Sequence, residues 1–199
     1  MSEAALSYPP LPIGGIRRLG VGWWGVLCVL LTEGALFGYL LFSYGYYAVQ
    51  LDPGWMPAGR PSLLLAAPNT VVLILSSVAV WWAERAMRRN QTRQSLIGVG
   101  LGVLLGILFI ATQLQEWHGR PFSLRSSLYG SLFFTITGFH MAHVVAGVLS
   151  LAAVFVWSAL GYFDSQRNAP VLIVSIYWHF VDAVWIVVFA TLYLTPYLT

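Results

Sequence analysis

His179 and Asp182 stand three residues apart in the stretch YWHFVDAVW, Tyr177 to Trp185. Around them lies an otherwise apolar run from about Ala169 to Leu194. A spacing of three puts both on one helix face, and the run is long enough to cross a bilayer, which takes roughly 20 apolar residues. An acid near the middle of such a span costs at least ~2.5 kcal/mol on insertion scales. It is kept only where it meets other helices, a partner subunit or water. Glu33 poses the same problem near the centre of the first apolar run, and His140 and His143 sit at i, i+3 in the fourth. Glu116 and His118 stand at the boundary of the third.

Three kinds of chemistry fit such residues. His140, His143, His179 and an acid carry metal-ligating atoms, but no Glu-x-x-His pair of the di-iron kind occurs. Histidines on two spans could be axial haem ligands, and Gly138 offers a small residue against a macrocycle. The third reading needs no cofactor. Buried carboxyls are neutral unless paired, and Glu33 then either locks an interhelical hydrogen bond or takes a proton- or lipid-linked role. His179 and Asp182 read first as a polar clasp between helices. No phosphate loop, nucleophile motif or cysteine pair is present, which disfavours a hydrolase or a redox enzyme acting alone.

The elements that must position these residues are membrane spans. Of 199 residues, 58% are hydrophobic and only 9% charged, against about 25% charged in soluble domains. Mean hydropathy is +0.75. The net charge of +3 comes from arginine alone, with no lysine, and reads as topology signal rather than a nucleic-acid surface. Cys28 is the single cysteine and reads as a packing residue.

An irregular tail, residues 1–18, precedes a five-helix domain at 19–199. Spans are expected at about Leu19–Ala48, Pro68–Ala86, Ser95–Trp117, Ser127–Phe163 and Ala169–Leu194. The first is far longer than the roughly 7–15 residues of a signal-peptide core and reads as a retained helix. Trp23 and Trp24 at its start, and Tyr44, Tyr46 and Tyr47 at its end, suit interfacial belts. A loop rich in Pro53, Gly54, Pro57, Gly59 and Pro61 follows. Gly98, Gly102 and Gly106 form a stripe for close helix packing, and Gly138, Ala142, Ala146 and Ser150 form a second. Seven arginines fall on the N-terminal side against three on the other, which predicts the N-terminus inside and the C-terminus outside. The fold class is all-α, a polytopic membrane bundle of five transmembrane helices. It is not expected to be stable alone, because the faces bearing Glu33 and Asp182 need neighbours.

The chain resembles subunit III of the haem–copper terminal oxidases, the cytochrome c and quinol oxidases. The matching segments are TEGALF with Glu33, PNT at Pro68–Thr70 with Ser76 and Ser77, QLQE ending at Glu116, RPFSL, YGSLFF, TGFHMAHV and YWHFVDAVW. The resemblance implies an accessory subunit of a proton-pumping oxidase in a bacterial plasma membrane. The chain itself would be non-catalytic and without a cofactor, with haem and copper in catalytic subunit I. It would pack beside subunit I and other oxidase subunits, hold phospholipid, sustain proton uptake and protect the active site during turnover.

Glu33 matches the family's carbodiimide-reactive carboxyl. His140, His143, His179 and Asp182 match its other polar membrane positions. The longer form of the family has seven spans, and this sequence matches the last five. Met141 stands where glycine is common, and Glu84-Arg85 where two histidines are common. Two alternatives remain at this point: a haem-bearing electron-transfer protein, and a subunit III-like partner of a nitric oxide reductase.

Overall fold

The structure is a computed structural model that describes residues 21–51, 55, 63–165 and 167–198. The tail at 1–18, Arg17, Arg18, Arg60 and the loop prolines and glycines at 53, 54, 57, 59 and 61 lie outside the described residues. Five long helices fill the rest: α1 Val21–Gln50, α2 Leu63–Arg88, α3 Thr92–His118, α4 Leu128–Ala159 and α5 Ala169–Phe189. A π-helical turn, Ala190–Leu194, carries α5 into the short α6, Thr195–Leu198. No strand occurs among the described residues. All five helices are long and apolar enough to span a membrane. With its 32 residues, α4 is about 48 Å long, well beyond a hydrocarbon core of about 30 Å.

Local chemistry sets the helix ends. After α2 the chain turns through Asn90 at φ 60°, a left-handed position that asparagine tolerates. Gln91 N–H bonds Ala86 O at 2.9 Å and Asn90 N–H bonds Met87 O at 3.0 Å, the paired bonds of a Schellman stop. Gly161, at φ 81°, ends α4 in the same way. The α4 N-cap is Ser127, whose hydroxyl accepts from Gly130 N–H at 3.0 Å.

Helices α2, α3, α4 and α5 close a ring, and α1 lies outside it against α4 and α5. The tightest seam joins α2 to α3. A Cβ on Gly98 would lie 2.8 Å from both Ala79 O and Ala83 Cβ, and one on Gly102 would lie 2.6 Å from Val80 Cγ2. Gly106 opens room for Val148 and Trp178. The stripe on α3 therefore packs as the sequence implies. Trp178, Trp185, Tyr193, Phe109 and Phe133 fill the core.

Several expectations are corrected. Pro68 lies inside α2, which begins five residues earlier; the preceding LLLAA is apolar and helix-compatible, and an early proline costs less than a central one. Tyr44 is buried against Trp55 and Tyr129 instead of joining an interfacial belt. The second small stripe does not pack within the chain, for Ala142 and Ala146 are exposed. Gly147 makes the close approach there, against Trp178. Cys28 faces outward from α1. Glu33 meets His143 of α4 at 2.8 Å.

Candidate functional site

The first polar constellation joins α1 to α4. His143 is anchored by its own helix, with Nδ1 2.6 Å from Phe139 O. A carbonyl only accepts, so Nδ1 carries the hydrogen. Nε2 then faces Glu33 Oε2 at 2.8 Å. Two lone pairs at that distance would repel, so the pair shares one proton. Either neutral Glu33 donates to Nε2, or a charged imidazolium donates to a carboxylate. Both forms are neutral overall, which suits a low-dielectric site. The Glu33 side chain remains 28% exposed at the bundle surface.

The second constellation is the α2–α5 seam. These helices run antiparallel, and polar α2 residues meet α5 in reverse order. Thr70 Oγ1 accepts from Trp185 Nε1 at 3.0 Å, and Ser76 Oγ accepts from Trp178 Nε1 at 3.1 Å. Ser77 Oγ lies 3.0 Å from His179 Nδ1, and Ser175 Oγ lies 3.3 Å from His179 Nε2. Ser175 in turn donates to Glu84 Oε2 at 3.0 Å. Asp182 faces Ser77 and His179, while its Oδ1 has no hydrogen-bond partner. His179 of the pair that stands out in the sequence is thus clasped between Ser77 and Ser175, with Glu84 behind Ser175, and of these only Ser175 went unnamed in the sequence reading.

The third lies at the opposite end. Glu116, read as a boundary residue, is buried. Its Oε1 accepts from Tyr193 O–H at 2.9 Å and from Arg120 one turn on. The π-helical turn places Tyr193 for this contact. Burial opposes the Arg120 charge, but Tyr193 and Glu116 outweigh it and hold the guanidinium above its ordinary value. His118 stays outside this cluster, with Nδ1 bonded to Leu114 O at 2.9 Å.

His140 belongs to none of the three. It is fully enclosed, 4.8 Å from the Trp185 ring, with Phe37 and Phe109 at its edges. Neither of its nitrogens has a hydrogen-bond partner, so it packs as an aromatic. The histidines do not converge, and no group of three metal-ligating side chains occurs among the described residues. His143 and His179 spend their ring nitrogens on Glu33, Phe139, Ser77 and Ser175.

Hydrogen bonds across helices thus hold Glu33 to His143, Ser77 to His179 and Glu116 to Tyr193. The family model described as cytochrome c oxidase subunit III matches residues 18–197. The chain belongs to the cytochrome c oxidase subunit III family. Among its relatives, a cytochrome c oxidase subunit 3 from Artemia franciscana is 35% identical, over 90% of this chain and 72% of the relative. One from Synechocystis is also 35% identical, over 85% of this chain and 74% of the relative. One from Danio rerio is 33% identical, over 83% of this chain and 67% of the relative. The chain is accordingly an integral membrane, accessory subunit of a haem–copper cytochrome c oxidase, associated with other oxidase subunits.

Proposed function

We propose that this subunit sits beside catalytic subunit I, where haem and copper carry out oxygen reduction, and that it supports proton uptake and bound phospholipid there without a cofactor of its own. Glu33 is the residue on which the role turns. His143 holds it directly. His140, His179 and Asp182 form the supporting polar interior, and Glu116 closes the far boundary. The observation that carries this reading is the Glu33–His143 pair, 2.8 Å long and shared between two helices. Its partly exposed carboxyl is reachable by a lipid or a neighbouring subunit.

We further place the complex in a bacterial plasma membrane, with the arginine-rich end of the bundle inside. The Synechocystis relative and the arginine distribution favour this placement.

The test is Glu33→Gln in the assembled oxidase. Glutamine keeps a hydrogen bond to His143 and removes the carboxyl group. Haem content should stay unchanged while turnover lifetime or lipid retention falls. A variant that inactivates at the parental rate and retains the parental lipid would sink the assignment.

A further inference from the structure

The middle of the four-helix ring is polar, and its polar atoms find no partners within the chain. Asn69 of α2, Gln113 of α3 and His140 of α4 are each 1% exposed. Asn69 Nδ2 donates to Phe109 O at 3.2 Å, which leaves Oδ1 unpaired. Gln113 stands one turn beyond Phe109 on the buried face of α3, and neither polar atom of its amide is paired. His140 lies nearly at right angles to the Phe109 ring, 5.9 Å between centroids, and both of its nitrogens are unpaired. Phe109 thus ties the three side chains to one layer of the bundle. About one turn further along α3, Glu116 Oε2 is unpaired beside the contact with Tyr193. Gln113 lies next to that Tyr193 hydroxyl without a closed hydrogen bond to it.

Buried amides and imidazoles are almost always hydrogen-bonded, because an unpaired one forfeits its hydration for nothing. The unpaired set decides what would satisfy it. Gln113 offers two N–H donors and an acceptor oxygen, neutral His140 one donor and one acceptor nitrogen, and Asn69 an acceptor oxygen. Donors and acceptors balance, and the three groups carry no charge. A metal ion would leave the N–H groups facing a cation, and an anion would meet the bare acceptors. Water donates and accepts at once. The walls of the layer, Phe109 and Trp185, are fully buried, which excludes an extended ligand. The Gln113 amide turns about three side-chain bonds and can draw aside to admit a molecule of that size.

We propose that Gln113, Asn69 and His140 hold ordered water at the centre of the ring, with Gln113 as its principal ligand. This site is separate from Glu33 and goes beyond the role proposed for that carboxyl. Asn69, Gln113 and His140 come from three helices and make no hydrogen bond to one another. The water supplies that link and fixes the register in which α2, α3 and α4 face each other, since a satisfied polar network rigidifies a core and specifies its packing. The Glu33–His143 pair does the same for α1 and α4 without a bridge.

The first test is a density map of the assembled oxidase at a resolution that shows ordered water. Density bridging Gln113 to Asn69 or His140 is expected. A Gln113 amide bonded directly to either side chain, or a layer closed with no density between them, would overturn the site. The second test is a double-mutant cycle on Gln113→Leu and Asn69→Leu, read from the unfolding midpoint of the purified complex. Each single variant should lower the midpoint, because it strips the water of one anchor and leaves the remaining side chains unpaired. The double variant should fall by less than the sum of the two, since side chains that share a network are not additive. Additive losses would mean that the two residues share no ligand. A midpoint raised by Gln113→Leu would mean that the amide is simply unpaired and holds nothing. None of these results bears on the turnover lifetime of Glu33→Gln, so the two readings fail separately.

Discussion

A single shared proton decides the chemistry at Glu33. His143 Nδ1 is committed to Phe139 O, so Nε2 always seeks a partner on the Glu33 side. Glu33→Leu removes that partner and leaves a half-buried ring nitrogen unpaired, a loss of about 1 kcal/mol. Glu33→Gln keeps a donor in place and should cost well under that. The expected order of stability is parent, then Gln, then Leu, read from the midpoint of thermal or detergent unfolding of the purified complex. Equal midpoints for Gln and Leu would mean that the pair does not hold α1 to α4. Glu33 stands out in the sequence because an acid interrupts an apolar run. His143 stands out too, but its pairing with Glu33 does not, because 110 residues separate the two and no local rule links them. Ser175 and His179 present the opposite case. Their i, i+4 spacing is local and readable, yet serine is so ordinary in a membrane helix that the contact with Glu84 gives it meaning only in three dimensions.

Among the helices, glycine placement separates seams from open faces. At Gly98 an added Cβ would meet Ala79 O, a backbone atom that cannot swing away, whereas at Gly138 it would meet nothing within 4 Å. Gly98→Ala should therefore lower stability by about 1–3 kcal/mol through overpacking, while Gly138→Ala is near neutral. Unfolding midpoints of the two variants check this, and equal midpoints would show that α2 and α3 are not in close contact. The positions of the five helices were legible in the sequence because 20-odd apolar residues have few other uses. Neighbour relations were less so. A four-residue spacing identifies a face of α4 but not what covers it, and Ala142 and Ala146 turn out to face away from the bundle. Tyr44 was misread because aromatic residues at a helix end suit both an interface and a core. Trp55 and Tyr129 pull it into the core.

The molecule as a whole is electrically lopsided along its axis. Among the described residues, Arg85, Arg88, Arg89, Arg93 and Arg167 gather at the end where α2 stops and α5 starts. Only Arg120 and Arg125 lie at the other, and Arg120 is bound inward by Glu116. Arg85 also sits over the Trp81 ring at 4.5 Å, an arrangement that keeps both at the membrane surface. Positive charge crosses a membrane poorly during insertion, so the end with five arginines should remain inside. Two exposed positions test this in a Cys28→Ser background. Gln91→Cys lies in the turn at the arginine-rich end, and Leu124→Cys lies in the loop between α3 and α4 at the opposite end. A membrane-impermeant maleimide should label Leu124→Cys in intact cells, and Gln91→Cys only once the membrane is opened. The reverse pattern would invert the subunit and place Glu84 at the outer face. The orientation thus fixes which compartment the Glu84 end of the α2–α5 seam faces.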